Sequence, residues 1–200
     1  MESGEWRILK REIEVAFAAY EQAEALDVLI FSGAKNLKLQ KGNKMANTEH
    51  IEVSEIERLL MELCHRVDRG TAFEVAELFT EDASLLPEFD GDYEVRGREE
   101  IQRFYQHYHD NFRANVRHLQ HMTSTPRIEV VENIASSTSY LLATFVNAES
   151  GAGVMATGTY IDALKKERGK WRFLRRTVQV HFLTSHAETI EKMEPMGFEN

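Results

Sequence analysis

The stretch RHLQHM, from Arg117 to Met122, sets two histidines three residues apart in an alternating pattern. Imidazole gives or takes a proton near neutral pH, so each ring is a candidate acid or base. Period-two alternation puts His118, Gln120 and Met122 on one face of a strand, and Arg117, Leu119 and His121 on the other. A slip of one residue exchanges the two sets. Asp68 is the second group of interest. It stands in the last turn of an expected helix, where a negative charge opposes the helix dipole. Arg66 and Arg69 can offset it in solvent; alternatively it points beside the apolar stripe, almost above Met61 and Cys64. The remaining histidines read more simply. His65 is exposed beside Arg66, and His181 packs at the end of the last strand. His107 and His109, two apart on a helix, do not share a face. They have no acidic partner at ligand spacing, so no metal site is expected. SGAG lacks the lysine and helix of a phosphate loop, so no nucleotide site is expected either.

These groups need elements to hold them. Apolar residues at Val53, Ile56, Leu60, Leu63 and Val67 predict a helix over about 52–69, stopped by a left-handed Gly70. Thr71 through Glu74 form a capping box for a short second helix ending near Phe79. ASLL and YEVRG read as short strands. REEIQRFYQHYHDNF predicts a third helix with Ile101, Phe104, Tyr105, Tyr108 and Phe112 on one side. Four β-rich segments follow, roughly 116–131, 134–149, 152–166 and 170–182, joined at Asn133, Gly151 and Gly169. Helices first and an antiparallel meander afterwards imply an α+β domain. Ahead of it, 5–31 reads as a helix ended at Gly33, and the segment after it as a linker. Three parts follow: a helical extension and linker (1–44), a domain (45–185) and a C-terminal tail (186–200), with Met45 a candidate natural start.

The chain has 200 residues, 42% of them hydrophobic, and a formal net charge of −9. That charge argues against nucleic acid, whose phosphates require a basic face. Lys165, Lys166, Arg168 and Lys170 surround Gly169 and read as a solvated hairpin tip. The single cysteine, Cys64, rules out an internal disulfide and reads as a small core residue. No apolar run reaches the roughly 18 residues of a membrane span, and no signal-peptide pattern opens the chain, so a cytoplasmic location is expected.

IERLLMELCHRVDRGTAFEVAELFTEDASLL, YEVRGREEIQRFYQHY, RHLQHM and GTYIDALKKERGKWRFLRR together resemble the SnoaL-like branch of the nuclear transport factor two-like superfamily, over about 50–182. The resemblance implies a cone-shaped α+β barrel, three helices packed on a curved antiparallel sheet, a pocket between them, and homodimers through the convex face. Members include polyketide cyclases, scytalone dehydratase and bile-acid dehydratases. Others are ligand-binding modules or dioxygenase small subunits. In dehydratase-like relatives an aspartate near this helix end pairs with a histidine on the first long strand. The relatives' histidine precedes a bulky apolar residue, as His118 precedes Leu119, which assigns His118 rather than His121 to the cavity. Several auxiliaries are missing. SYLLATFVNAE has no second histidine, MELCHRV has no tyrosine one turn before Asp68, and Met122 stands where an asparagine is common.

The function this implies is a dehydratase, isomerase or cyclase of an apolar carbonyl substrate, needing no cofactor. Asp68 would orient His118, the base and then the acid. Tyr105, Tyr108, Gln120, Met122, Tyr140 and Met155 would contact substrate, with Leu63, Val67, Phe104 and Leu142 in the wall. The rival is a non-catalytic binding or assembly module, including a dioxygenase small subunit bound to a large partner chain. The two part over His118: bonded to Asp68 in an enclosed cavity, or facing solvent.

Overall fold

The computed structural model describes residues 42–187, and the expected N-terminal helix over 5–31 lies outside them, as does most of the tail. The chain divides into two units, Met1–Thr48 and Glu49–Asn200, and the site lies wholly in the second. Helix α1 spans Gly42–Arg69. It begins some ten residues before the expected start, because a polar segment can propagate a helix without displaying an apolar stripe. Ile56, Leu60, Leu63 and Val67 are buried as expected and Leu59 joins them, whereas Val53 is half-buried. Gly70 does not take the left-handed conformation expected of it. A Cβ there would lie 2.9 Å from the Arg66 carbonyl oxygen, so glycine is needed for room. Helix α2, Ala72–Ala76, opens with the predicted Thr71–Glu74 capping box. Strand β1 (Phe79–Pro87), strand β2 (Val95–Arg96) and helix α3 (Arg98–Asn111) follow. Arg98 ties the start of α3 to β1, its Nε donating to the Phe79 carbonyl at 2.9 Å.

Strands β3 (Val116–Val131), β4 (Ile134–Asn147), β5 (Gly153–Glu167) and β6 (Lys170–His186) make the antiparallel meander. The six strands lie in the order β2-β1-β6-β5-β4-β3. β1 runs parallel to β6, so the sheet is mixed rather than wholly antiparallel, and it is open rather than closed into a barrel. An extra residue in one strand of a pair bends that strand and strengthens its twist. Such shifts fall twice in β3, near His118 and Thr125, and twice in the pairing of β5 with β6. At Gly158, beside one of them, a Cβ would sit 1.9 Å from the Gln179 carbonyl oxygen, so only glycine allows the approach.

The helices cover the inner face, where Phe79, Leu85, Ile101, Leu164 and Phe173 join the α1 stripe in one core. The Lys166 amine, expected in solvent, instead holds α1 to the β5–β6 hairpin. It donates to Glu52 at 2.6 Å and to Glu55 at 3.1 Å, and Glu52 also accepts from the Trp171 indole at 2.7 Å.

Candidate functional site

Asp68 ends α1 facing the sheet. Its Oδ1 lies 2.6 Å from Nδ1 of His121, and its Oδ2 accepts the His121 backbone N–H at 2.8 Å. One carboxylate therefore holds both the amide and the ring of the same residue. Arg66 does not neutralise it, because that guanidinium goes to Glu62 and to the Glu74 carbonyl. At the helix end Arg69 donates to the Asp68 carbonyl at 3.0 Å, and Arg113 adds a second cation, donating to the Val67 and Gly70 carbonyls at 3.1 and 2.7 Å. With Nδ1–H turned to the carboxylate, the neutral ring keeps its lone pair on Nε2. His121 lines a cavity of about 440 Å³ between the helices and the sheet.

The cavity wall is mostly apolar. Leu63 and Val67 come from α1, Phe104 from α3, and Leu141, Ala143 and Phe145 from β4. Tyr105 and Tyr108 enter from α3. Burial raises the Tyr105 phenol to about 12, with Asp162 adding to the effect and Arg176 opposing it. Burial, then Tyr105 and Asp68, raises the Tyr108 phenol further. Both stay protonated at neutral pH and can donate hydrogen bonds. Cys64 also lines the wall, its thiol raised mainly by burial.

Beneath lies a feature that sequence reasoning missed. Arg176 is bound to Asp162 through two parallel bonds, Nε to Oδ1 at 2.7 Å and Nη2 to Oδ2 at 2.9 Å, and both side chains are buried. The guanidinium carbon sits 4.0 Å from the Tyr160 ring centroid and 4.6 Å from that of Phe173. The signal was available: Tyr160, Asp162 and Leu164 alternate on one face of β5, and a charge at an inward position implies a buried partner.

The structure does not bring His118 to Asp68. His118 is exposed and takes a left-handed backbone, φ 57°, at the first bulge of β3. Arg117 pairs with Val146 and Gln120 with Thr144, so His118 and Leu119 together oppose Phe145. Past the bulge Leu119 and His121 face inward, while Gln120 and Met122 face outward. The assignment of His118 to the cavity is corrected to His121. Of the expected substrate contacts, Tyr105 and Tyr108 line the cavity. Gln120, Met122, Tyr140 and Met155 do not, and neither does Leu142. Tyr140 pairs with Thr159 and Met155 with Thr144 on the outer face. His65 is exposed, as expected. His109 is buried, whereas His107 is exposed and lines the cavity. No group of three or more metal-ligating side chains converges among the described residues. No helix among them is long and apolar enough to cross a membrane.

Solved structures share this fold. A candidate scytalone dehydratase from Novosphingobium aromaticivorans is 24% identical, with a TM-score of 0.61 over 78% of this chain and 99% of that one. A type 2 hexachlorocyclohexane dehydrochlorinase (LinA) is 18% identical, with a TM-score of 0.61 over 75% and 97%. A protein of unknown function from Mycobacterium tuberculosis is 23% identical, with a TM-score of 0.60 over 70% and 78%. At such identities the likeness is one of fold. No curated protein sequence matches the chain. The family model described as the SnoaL-like domain matches residues 49–177, the helices and sheet that enclose the cavity, and the chain belongs to that family.

Proposed function

We propose that the chain is a cofactor-independent enzyme of the dehydratase, isomerase or cyclase kind, acting on an apolar carbonyl compound. The contact of Asp68 with His121 on the wall of an apolar cavity carries this reading. Nε2 of His121 takes a proton from the carbon next to the carbonyl, and the electron pair forms an enolate. A phenol, Tyr105 or Tyr108, donates to the enolate oxygen. As the enolate collapses, the β-hydroxyl leaves with the proton returned by the imidazolium, and water is released. Asp68 holds the tautomer and balances the transient charge. The names of two relatives, a dehydratase and a dehydrochlorinase, support chemistry that removes HX across a carbon–carbon bond.

The test is a product screen of β-hydroxy ketones, read by mass spectrometry. His121→Ala is expected to lower turnover by roughly 10²–10⁴-fold, and His118→Ala to leave it within about twofold. Full activity in His121→Ala, or none in the wild-type protein on the whole panel, would favour the rival reading, a binding or assembly module. We also infer a homodimer through the outer sheet face, where Met122, Tyr140, Ile161 and Phe182 are exposed.

A further inference from the structure

We infer that the cavity selects an uncharged hydrophobic molecule taken up free from solution, and that Asp90 at its mouth turns anionic molecules away. This rests on the cavity being the substrate site proposed above, but not on the reaction. Among the described lining residues the only permanent cation is Arg176. Its charge is matched by Asp162 through two hydrogen bonds, and aromatic rings lie against it. His121 keeps its Nδ1 2.6 Å from the Asp68 carboxylate. Among the described residues the interior therefore offers an entering anion no unmatched positive charge.

The mouth, among the described residues, carries a negative charge. Asp90 is exposed on the loop after β1, lines the opening and accepts a hydrogen bond from the Tyr93 hydroxyl. Phe89 and Leu183 supply an exposed apolar rim. His107 and Asn111, one turn apart on α3, also line the cavity, the His107 Nδ1 3.0 Å from the Asn111 amide nitrogen. No lysine, and no arginine other than buried Arg176, lines the cavity among the described residues. A carboxylate or phosphate would pass Asp90 and lose its water without a counter-ion inside, at a cost no contact here repays. A nucleotide thioester or a phosphopantetheine arm would set its phosphates beside that carboxylate, where recognition calls for cations. The formal charge of −9 on the chain opposes anions at longer range.

Two probes with the same ring separate charge from shape: 2-naphthol, neutral at neutral pH, and 2-naphthoate. Calorimetry on the full chain is expected to show 2-naphthol binding at least about tenfold more tightly, with the gap narrowing in high salt. Asp90→Lys, a change on an exposed loop, should strengthen 2-naphthoate roughly three- to tenfold and leave 2-naphthol unchanged. Equal or tighter binding of 2-naphthoate to the wild type overturns the inference. So does an Asp90→Lys variant with unaltered preference, or failure of 2-naphthol to bind. If selectivity is as expected and the elimination screen is silent, the reaction falls and the selectivity stands.

Discussion

Asp68 ends its helix against the grain of the dipole, and the structure supplies the reason: the carboxylate grips the amide and the ring of His121 together. Asp68→Asn can still accept the backbone N–H but cannot balance an imidazolium or enforce the tautomer. Turnover in any reaction found for the protein should fall by roughly 10²–10⁴-fold with little change in midpoint urea concentration. Asp68 was legible in the sequence as a helix-end anomaly, and its partner strand was legible too. The partner residue was not. Alternation paired Leu119 with His121 and Gln120 with Met122, but it set Arg117 with the first pair, and the backbone insertion at His118, which follows from no side-chain pattern, moves it to the other face. His109 gives a second test at this scale. Its buried Nε2 has no hydrogen-bond partner among the described residues. Burial, then Arg113, holds the ring below its usual pKa, while Asp110 acts in the opposite sense. The unfolded chain therefore takes up this proton at higher pH than the folded one. The contribution is whole above about pH 6.5 and is lost as the pH falls toward the folded value. Chemical denaturation should show that His109→Phe weakens the dependence of stability on pH in that window.

The three-and-four spacing of α1 and the aromatic side of α3 were readable because burial along one stripe dictates them, and the capping box of α2 because its Thr71 and Glu74 side chains close on orphan backbone groups. The four meander strands matched their segments for the same reason, and Gly151 and Gly169 adopt positive φ at the turns. The parallel pairing of β1 with β6 was hidden, since it joins segments about ninety residues apart. So was the task of Lys166, which reads as one charge in a basic hairpin until Glu52, Glu55 and Trp171 are seen around it. The Lys166 side chain is 17% exposed and that of Glu52 19%. Glu52 holds the Lys166 ammonium above its usual range, chiefly by hydrogen bonding, and Lys166 in turn lowers Glu52. Lys166→Met removes that tie between α1 and the hairpin. Urea denaturation is expected to show a loss of about 1–2 kcal/mol.

Across the whole molecule, the inner sheet face carries the core, the cavity and the matched Arg176–Asp162 charges, while the outer face mixes threonines with large apolar side chains. Tyr140, 64% exposed, and Ile161, 44% exposed, stand there. If that face joins two copies, Tyr140→Asp should shift the protein from dimer to monomer in sedimentation velocity and spare the fold; a wild-type monomer at all concentrations would refute the dimer. The α+β class was legible because element order constrains layering. The buried ion pair was overlooked because arginine and aspartate are read as surface residues by default. The position of β3 carries one more consequence. It ends the strand row, laddered to β4 alone among the described residues, so His121 stands at the margin of the sheet. Moving that strand disturbs one neighbouring strand and the Asp68 contact, and inserting or deleting one residue before the histidine redirects the ring. The direction in which the imidazole points is thus set by the local backbone of one edge strand rather than by the sheet as a whole.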